Sequence, residues 1–131
     1  RKAAASTTVR HMWRSPSDLC VVLTTLPADR ADPIARALLE LRVCACVNLL
    51  PVQSVYRWQG AIESAHEQAA LIKTTPDRKS ALLAALRQLH PYQVPEIIEL
   101  ASDGALAAYA AWVAAEVQPA GDPGPDHPDA R

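Results

Sequence analysis

The densest group of side chains that could do chemistry lies in residues 90–96, which read HPYQVPE. This segment holds an imidazole, a phenol and a carboxylate, and its two prolines stiffen it. His90 and Glu96 can meet on one ligand only if the segment folds back on itself. Imidazole and carboxylate together suit a borderline metal such as Cu(II) or Zn(II). We therefore predict His90 and Glu96 as metal ligands; in the alternative interpretation, His90 caps a helix and Glu96 pairs with a basic side chain.

Two further segments could supply a binding pocket. Lys73 lies in the apolar run AALIKTTP, where an isolated ammonium group must reach a partner or the surface. A carboxylate such as Glu96, or an anionic ligand, would serve as that partner. Trp58 ends the sequence YRW, and its ring is either the wall of a pocket or half of a cross-strand aromatic pair. We predict Trp58, Lys73 and Tyr92 as ligand-binding residues.

The chain has three cysteines, Cys20, Cys44 and Cys46. The Cys44-x-Cys46 spacing could hold a metal, but no second cysteine pair completes the site, so we interpret both as small core residues. Three is an odd and low count, and Cys20 and Cys46 lie in apolar runs. This usage indicates a reducing compartment, and we predict a cytoplasmic location.

Composition excludes several classes of function. The 131 residues carry 13 basic and 14 acidic side chains, a net charge of −1, so no basic surface for nucleic acid is expected. No apolar run reaches the length of a membrane span, and we predict no membrane partner. Only four glycines are present, too scattered for a phosphate-binding loop. Because the common hydrolase motifs are also missing, we predict that the protein is not an enzyme.

The apolar pattern predicts an α+β fold. A short β-branched run, an amphipathic helix, two long strands joined at a Gln-Gly turn, a second helix, a fourth strand and a final helix follow one another. The predicted strands cover residues 18–26, 45–58, 61–75 and 94–100, and the helices end near residues 42, 90 and 117. This order is the ferredoxin-like βαββαβ arrangement, an antiparallel sheet with two helices on one face plus a C-terminal helix.

Three segments divide the chain. Residues 1–17 show no apolar periodicity, and we predict a disordered segment that is either an artificial leader or a targeting sequence. Residues 18–118 form the folded domain. Residues 119–131 are rich in proline and glycine and are predicted to be a disordered tail.

The domain resembles the CutA family of divalent-cation tolerance proteins. The resemblance is carried by VVLTTLP (21–27), ACVNLLP (45–51), SVYRWQG (54–60), LIKTTPDR (71–78), HPYQVPEII (90–98) and YAAWV (109–113). It implies a small ferredoxin-like trimer, related in architecture to the PII signalling proteins. It also implies an association with copper and with tolerance of divalent metals.

Two positions differ from relatives. Some family members have a cysteine linked to copper at the end of the first strand, where this chain has Thr24. Others have a second histidine before HPY, where this chain has Leu89. A soft thiolate and one imidazole are therefore missing, so any copper site should be weak.

We therefore expect a non-enzymatic homotrimer that needs no cofactor. It would bind copper or another divalent cation weakly, in a polar pocket at the subunit boundary. A PII-like sensor of a small anionic metabolite is one alternative, and a ligand-free trimeric scaffold for partner proteins is another. The long hairpin of residues 45–75 independently favours self-association, because its tip would extend beyond the domain's own sheet.

Overall fold

The computed structural model describes residues 13–14 and 18–119. Its elements in chain order are β1 (Trp13–Arg14), β2 (Cys20–Pro27), α1 (Ala31–Glu40), β3 (Cys46–Trp58), β4 (Ala61–Thr74), α2 (Lys79–Leu89), β5 (Ile97–Leu100), β6 (Ala105–Leu106) and α3 (Ala107–Glu116). Strands β2 to β5 form one antiparallel sheet in the order β3-β4-β2-β5. The predicted ferredoxin-like βαββαβ order, followed by a C-terminal helix, is confirmed.

One face of the sheet packs against α1 and α2 and forms the main core. On β2 this face carries the alternate residues Val22, Thr24 and Leu26, all essentially inaccessible to solvent. Alternation sends the intervening side chains to the other face. The helices complete the core with apolar residues spaced by three and four positions: Ala31, Ile34 and Leu38 from α1, and Leu82 and Leu86 from α2. Each such large buried side chain contributes roughly 1.5–3 kcal/mol.

Strands β3 and β4 form a long hairpin. Pairing runs without a register slip from Cys46 opposite Lys73 to Trp58 opposite Ala61. Both turn residues have positive φ, 49° at Gln59 and 84° at Gly60, which is the turn geometry that matches the twist of a two-residue hairpin. Pro51 is tolerated inside β3 because β3 is an edge strand.

The hairpin extends well past its neighbour in the sheet. Strand β2 pairs with β4 only from Thr74 back to Glu67. Residues 61–66 therefore have β3 on one side and, among the described residues, no strand on the other. At about 3.3 Å per residue this overhang is roughly 20 Å long, and its exposed apolar residues include Val55, Trp58 and Ile62.

The structure corrects two predicted boundaries. The strand predicted over residues 94–100 begins only at Ile97, because Pro95 has no N–H for the ladder and the carbonyl of Glu96 accepts a side-chain hydrogen bond instead. The second boundary is the start of the predicted C-terminal helix. Strand β6 comes first, and α3 begins at Ala107.

Strand β6 pairs with β1, a segment that the sequence placed outside the folded domain. Trp13 lies opposite Leu106 and Arg14 opposite Ala105. The rest of the segment 1–17, and the predicted tail except its first residue, fall outside the described residues. Within the described ranges, no helix is long and apolar enough to span a lipid bilayer.

The β1–β6 pairing makes a testable prediction. Deleting residues 1–12 should leave the melting temperature unchanged, whereas deleting residues 1–17 should lower it by a few degrees, because only the longer deletion removes β1. Thermal unfolding followed by circular dichroism compares the two truncations. Equal melting temperatures would show that β1 adds no stability to the domain.

Candidate functional site

The buried hydroxyl of Thr24 joins the two ends of the segment that the sequence singled out. Its Oγ1 lies 2.7 Å from the backbone carbonyl oxygen of Glu96 and 3.1 Å from Nε2 of His90. Because a carbonyl oxygen can only accept, Thr24 donates its hydrogen to Glu96. The hydroxyl therefore connects the end of α2 with the residue that precedes β5.

His90 is held as a neutral imidazole. Its Nε2 lies 3.0 Å from the carbonyl oxygen of Thr25, which requires a proton on Nε2. Its Nδ1 accepts the backbone N–H of Tyr92 at 3.3 Å and must be unprotonated. His90 is only 7% exposed, and burial lowers its pKa below the ordinary value. Both ring nitrogens are thus used by the protein itself.

Tyr92 links His90 to a buried carboxylate. The two rings are 5.0 Å apart, and the Tyr92 hydroxyl donates to Oε2 of Glu67 at 2.7 Å. Burial raises the pKa of Tyr92 well above its usual range, and the charges of Glu67 and Asp29 raise it further. Glu67 is 8% exposed. In the part of the chain that the structure describes, neither lysine nor arginine forms an ion pair with it.

We call Thr24, Glu67, His90 and Tyr92 the His90 pocket. It combines an imidazole, a phenol, a hydroxyl and a carboxylate, and its charge is negative. The surroundings therefore favour a cation over an anion. Opening one ring nitrogen of His90 to a metal would require breaking a hydrogen bond that the fold already makes.

The predicted metal ligands do not meet through their side chains. The Glu96 side chain is exposed, and it is the backbone carbonyl of Glu96 that lies near His90. Residues 18–119 also contain no group of three or more His, Cys, Asp or Glu side chains placed to hold a metal. Metal binding by His90 and Glu96 stays a prediction.

The other predicted residues are spread along the hairpin. Lys73 is six residues from Glu67 on β4, and Trp58 lies opposite Ala61, six residues from Glu67 in the other direction. Each separation is about 20 Å at 3.3 Å per residue. Within a single chain, therefore, only two of the predicted pocket residues lie close together, His90 and Tyr92.

Lys73 finds partners on its own hairpin. Its Nζ donates to Oδ1 of Asn48 and to the carbonyl of Leu71, at 3.2 Å, and lies 4.0 Å from Sγ of Cys46. The carboxylate or anionic partner suggested by the sequence is not needed to satisfy this ammonium group.

Sequence reasoning missed Glu67. A signal was present, since alternation in β4 places Glu67 on the same face as Ala69 and Leu71. A buried carboxylate is costly without a partner. Its donor, Tyr92, is 25 positions away, and a pairing so distant in sequence is set by the fold.

Comparisons with known proteins match this arrangement to one family. The family model described as "CutA1 divalent ion tolerance protein" matches residues 20–116. The chain belongs to the CutA1 family. The divalent-cation tolerance protein CutA of Pectobacterium atrosepticum is 41% identical over 103 residues, which cover 77% of this chain and 94% of that protein.

Two solved structures show how far the CutA1 fold extends along the chain. CutA from Synechococcus elongatus superposes with a TM-score of 0.78 at 36% identity, covering 81% of this chain and 96% of that one. The PII-like protein CutA from Nostoc, in apo form, gives a TM-score of 0.73 at 34% identity, covering 76% and 97%. The expected relation to the PII architecture is supported.

The neutral state of His90 predicts a pH dependence of stability. Unfolding returns the His90 pKa to its ordinary value near 6.5. As the pH falls, the unfolded chain therefore takes up this proton at a higher pH than the folded chain does. The contribution of neutral His90 to the free energy of unfolding is thus complete above about pH 6.5 and is lost as the pH falls. The melting temperature should decrease below pH 6.5, and His90→Gln should reduce that decrease.

His66, exposed on the hairpin, supplies the matched control. His66→Gln should leave the pH dependence as it is in the wild type. Melting temperatures of the three proteins between pH 5 and 8 make the comparison. Identical profiles for His90→Gln and the wild type would contradict a buried, neutral His90.

Proposed function

We propose that this protein takes part in the tolerance of divalent cations as a non-enzymatic cytoplasmic homotrimer. It binds a cation such as copper weakly in the His90 pocket. The observation that carries the proposal is the charge of this pocket: the carboxylate of Glu67 is buried beside Tyr92 and has no cationic partner among the described residues. The match to the divalent ion tolerance family agrees with a cationic ligand.

Weak binding follows from the hydrogen bonds of the pocket. A cation must compete with the Tyr92 N–H for Nδ1 of His90, and with Thr25 for Nε2. Thr24 supplies a hydroxyl where a thiolate would favour Cu(I). The pocket therefore offers one imidazole and one carboxylate, both already hydrogen-bonded.

A sensor of anionic metabolites has less support. It would need Lys73 near the pocket, but Lys73 lies about 20 Å away along β4 and contacts Asn48. A trimeric scaffold without a ligand is the alternative that would stand if no cation bound.

The overhanging hairpin supports self-association. Val55 and Ile62 are 65% and 70% exposed, and Trp58 is 51% exposed. The edge strand β5 offers a second uncovered apolar surface through Ile98 and Leu100. Tyr109 and Trp112 are not part of this surface, because they pack against a small second core. The proposed contact therefore joins the hairpin tip of one copy to β5 of the next, and a head-to-tail contact of this kind closes into a ring when the rotation between copies allows it.

Cysteine substitutions test the location of the cation site. Thr24→Cys should bind Cu(I) at least tenfold more tightly than the wild type, because it places a soft ligand beside His90. Ser80→Cys is the control, since it places an exposed thiol near the start of α2, ten residues from His90. His90→Ala should weaken the copper binding of the wild-type chain. Anaerobic titration against a chromophoric chelator measures each affinity.

Equal copper affinities for the Thr24→Cys and Ser80→Cys variants would contradict a site at His90. So would a His90→Ala variant that binds copper as the wild type does. If the wild-type protein bound no copper, zinc or other divalent cation, the ligand-free trimeric scaffold would be the remaining alternative.

The assembly prediction needs only light scattering. A chain of 14.1 kDa should give a particle of about 42 kDa as a trimer. Replacing the exposed Ile62 with Glu should shift the protein toward the monomer, while His66→Glu on the same overhang should not. A wild-type protein that stays at the monomer mass at micromolar concentration would overturn the trimer.

A further inference from the structure

A thiol and an amine face each other near the other end of the hairpin. Cys46 is the first residue of β3, and Lys73 lies directly opposite it on β4. Directly opposed residues have Cβ atoms about 4.5–5.5 Å apart. The register of the sheet therefore fixes this pair, and their reactive atoms, Sγ and Nζ, are 4.0 Å apart.

The ammonium group of Lys73 is held in place. Asn48 accepts from it on the same sheet face, and the carbonyl of Leu71 accepts at 3.2 Å. Cys46 and Lys73 are both half-buried on the face opposite α1 and α2. Because the two reactive atoms already lie 4.0 Å apart on paired strands, part of the entropy cost of their reaction is removed in advance.

The other two cysteines lack this arrangement. Cys44 is 1% exposed, and burial raises its pKa to about 12, which keeps it a thiol. Burial also raises the pKa of Cys20. The nearby Lys79 is engaged in an ion pair with Glu99 at 2.9 Å. The oxidisable thiol with an amine in contact is Cys46.

We propose that Cys46 and Lys73 form an intramolecular sulfenamide when the protein meets hydrogen peroxide. The Cys46 thiolate attacks one peroxide oxygen, the O–O bond breaks, and the leaving hydroxide takes a proton from the Lys73 ammonium. Sulfur is oxidised by two electrons and the peroxide is reduced to water.

The second step joins the two side chains. The Lys73 amine, now neutral, attacks the sulfur of the sulfenic acid. An S–N bond forms, the S–O bond breaks, and the hydroxide leaves as water with a proton from the nitrogen. The product has no charge at Lys73, and a thiol reductant restores both side chains.

Peptide mapping of the full-length protein after treatment with hydrogen peroxide tests the proposal. Unmodified chain gives the tryptic peptides 43–57 and 58–73. The sulfenamide blocks cleavage at Lys73 and should link peptide 43–57 to peptide 58–78, at about 2 Da below the sum of their masses. Dithiothreitol should separate the two peptides.

Two variants control for the atoms involved. Cys46→Ser removes the sulfur, and Lys73→Arg keeps the charge while removing the amine, so neither should give the linked peptide. In Lys73→Arg the sulfenic acid should persist and react with dimedone. A wild-type protein with only a Cys44–Cys46 disulfide, or only over-oxidised Cys46, would overturn the proposal, as would a linked peptide in either variant.

Discussion

The arrangement of the site depends on one buried hydroxyl. Thr24 lies in the middle of β2, and its Oγ1 contacts the ring of His90 and the backbone carbonyl of Glu96 at once. Leaving such a buried group unpaired would cost about 1–3 kcal/mol. This hydroxyl therefore ties the loop of residues 90–96 to the central strand.

The chemical consequence is a pocket whose polar groups already have hydrogen-bond partners within the protein. His90 stays neutral because burial opposes its charge, and Tyr92 stays protonated because partial desolvation and the neighbouring carboxylate of Glu67 both raise its pKa. The remaining charge is that of a carboxylate, which favours a cation. The same hydrogen bonds compete with that cation, so tolerance through this pocket would operate by low affinity and reversible binding.

Much of the fold could be predicted from the sequence because its signals are local. Alternation along β2, the spacing of Ile34 and Leu38, and the Gln-Gly turn identify the elements, and Pro51 restricts β3 to an edge strand or a bulge. The site was harder to predict. Glu67 meets Tyr92 only through tertiary pairing, while Lys73 and Trp58 are separated by the length of a hairpin whose register no short motif encodes. Strand β5 starts late because the carbonyl of Glu96 bonds to Thr24, a contact invisible in the segment itself.

The central claim is that His90 is a neutral imidazole with its proton on Nε2, fixed between Thr25 and the backbone of Tyr92. Nitrogen-15 NMR of the histidine rings at pH 7 tests it most directly, with His90→Gln assigning the signals. An Nε2 signal typical of a protonated nitrogen and an Nδ1 signal typical of an unprotonated acceptor are expected. A charged ring, or the opposite tautomer, would contradict the hydrogen-bond network on which the pocket depends.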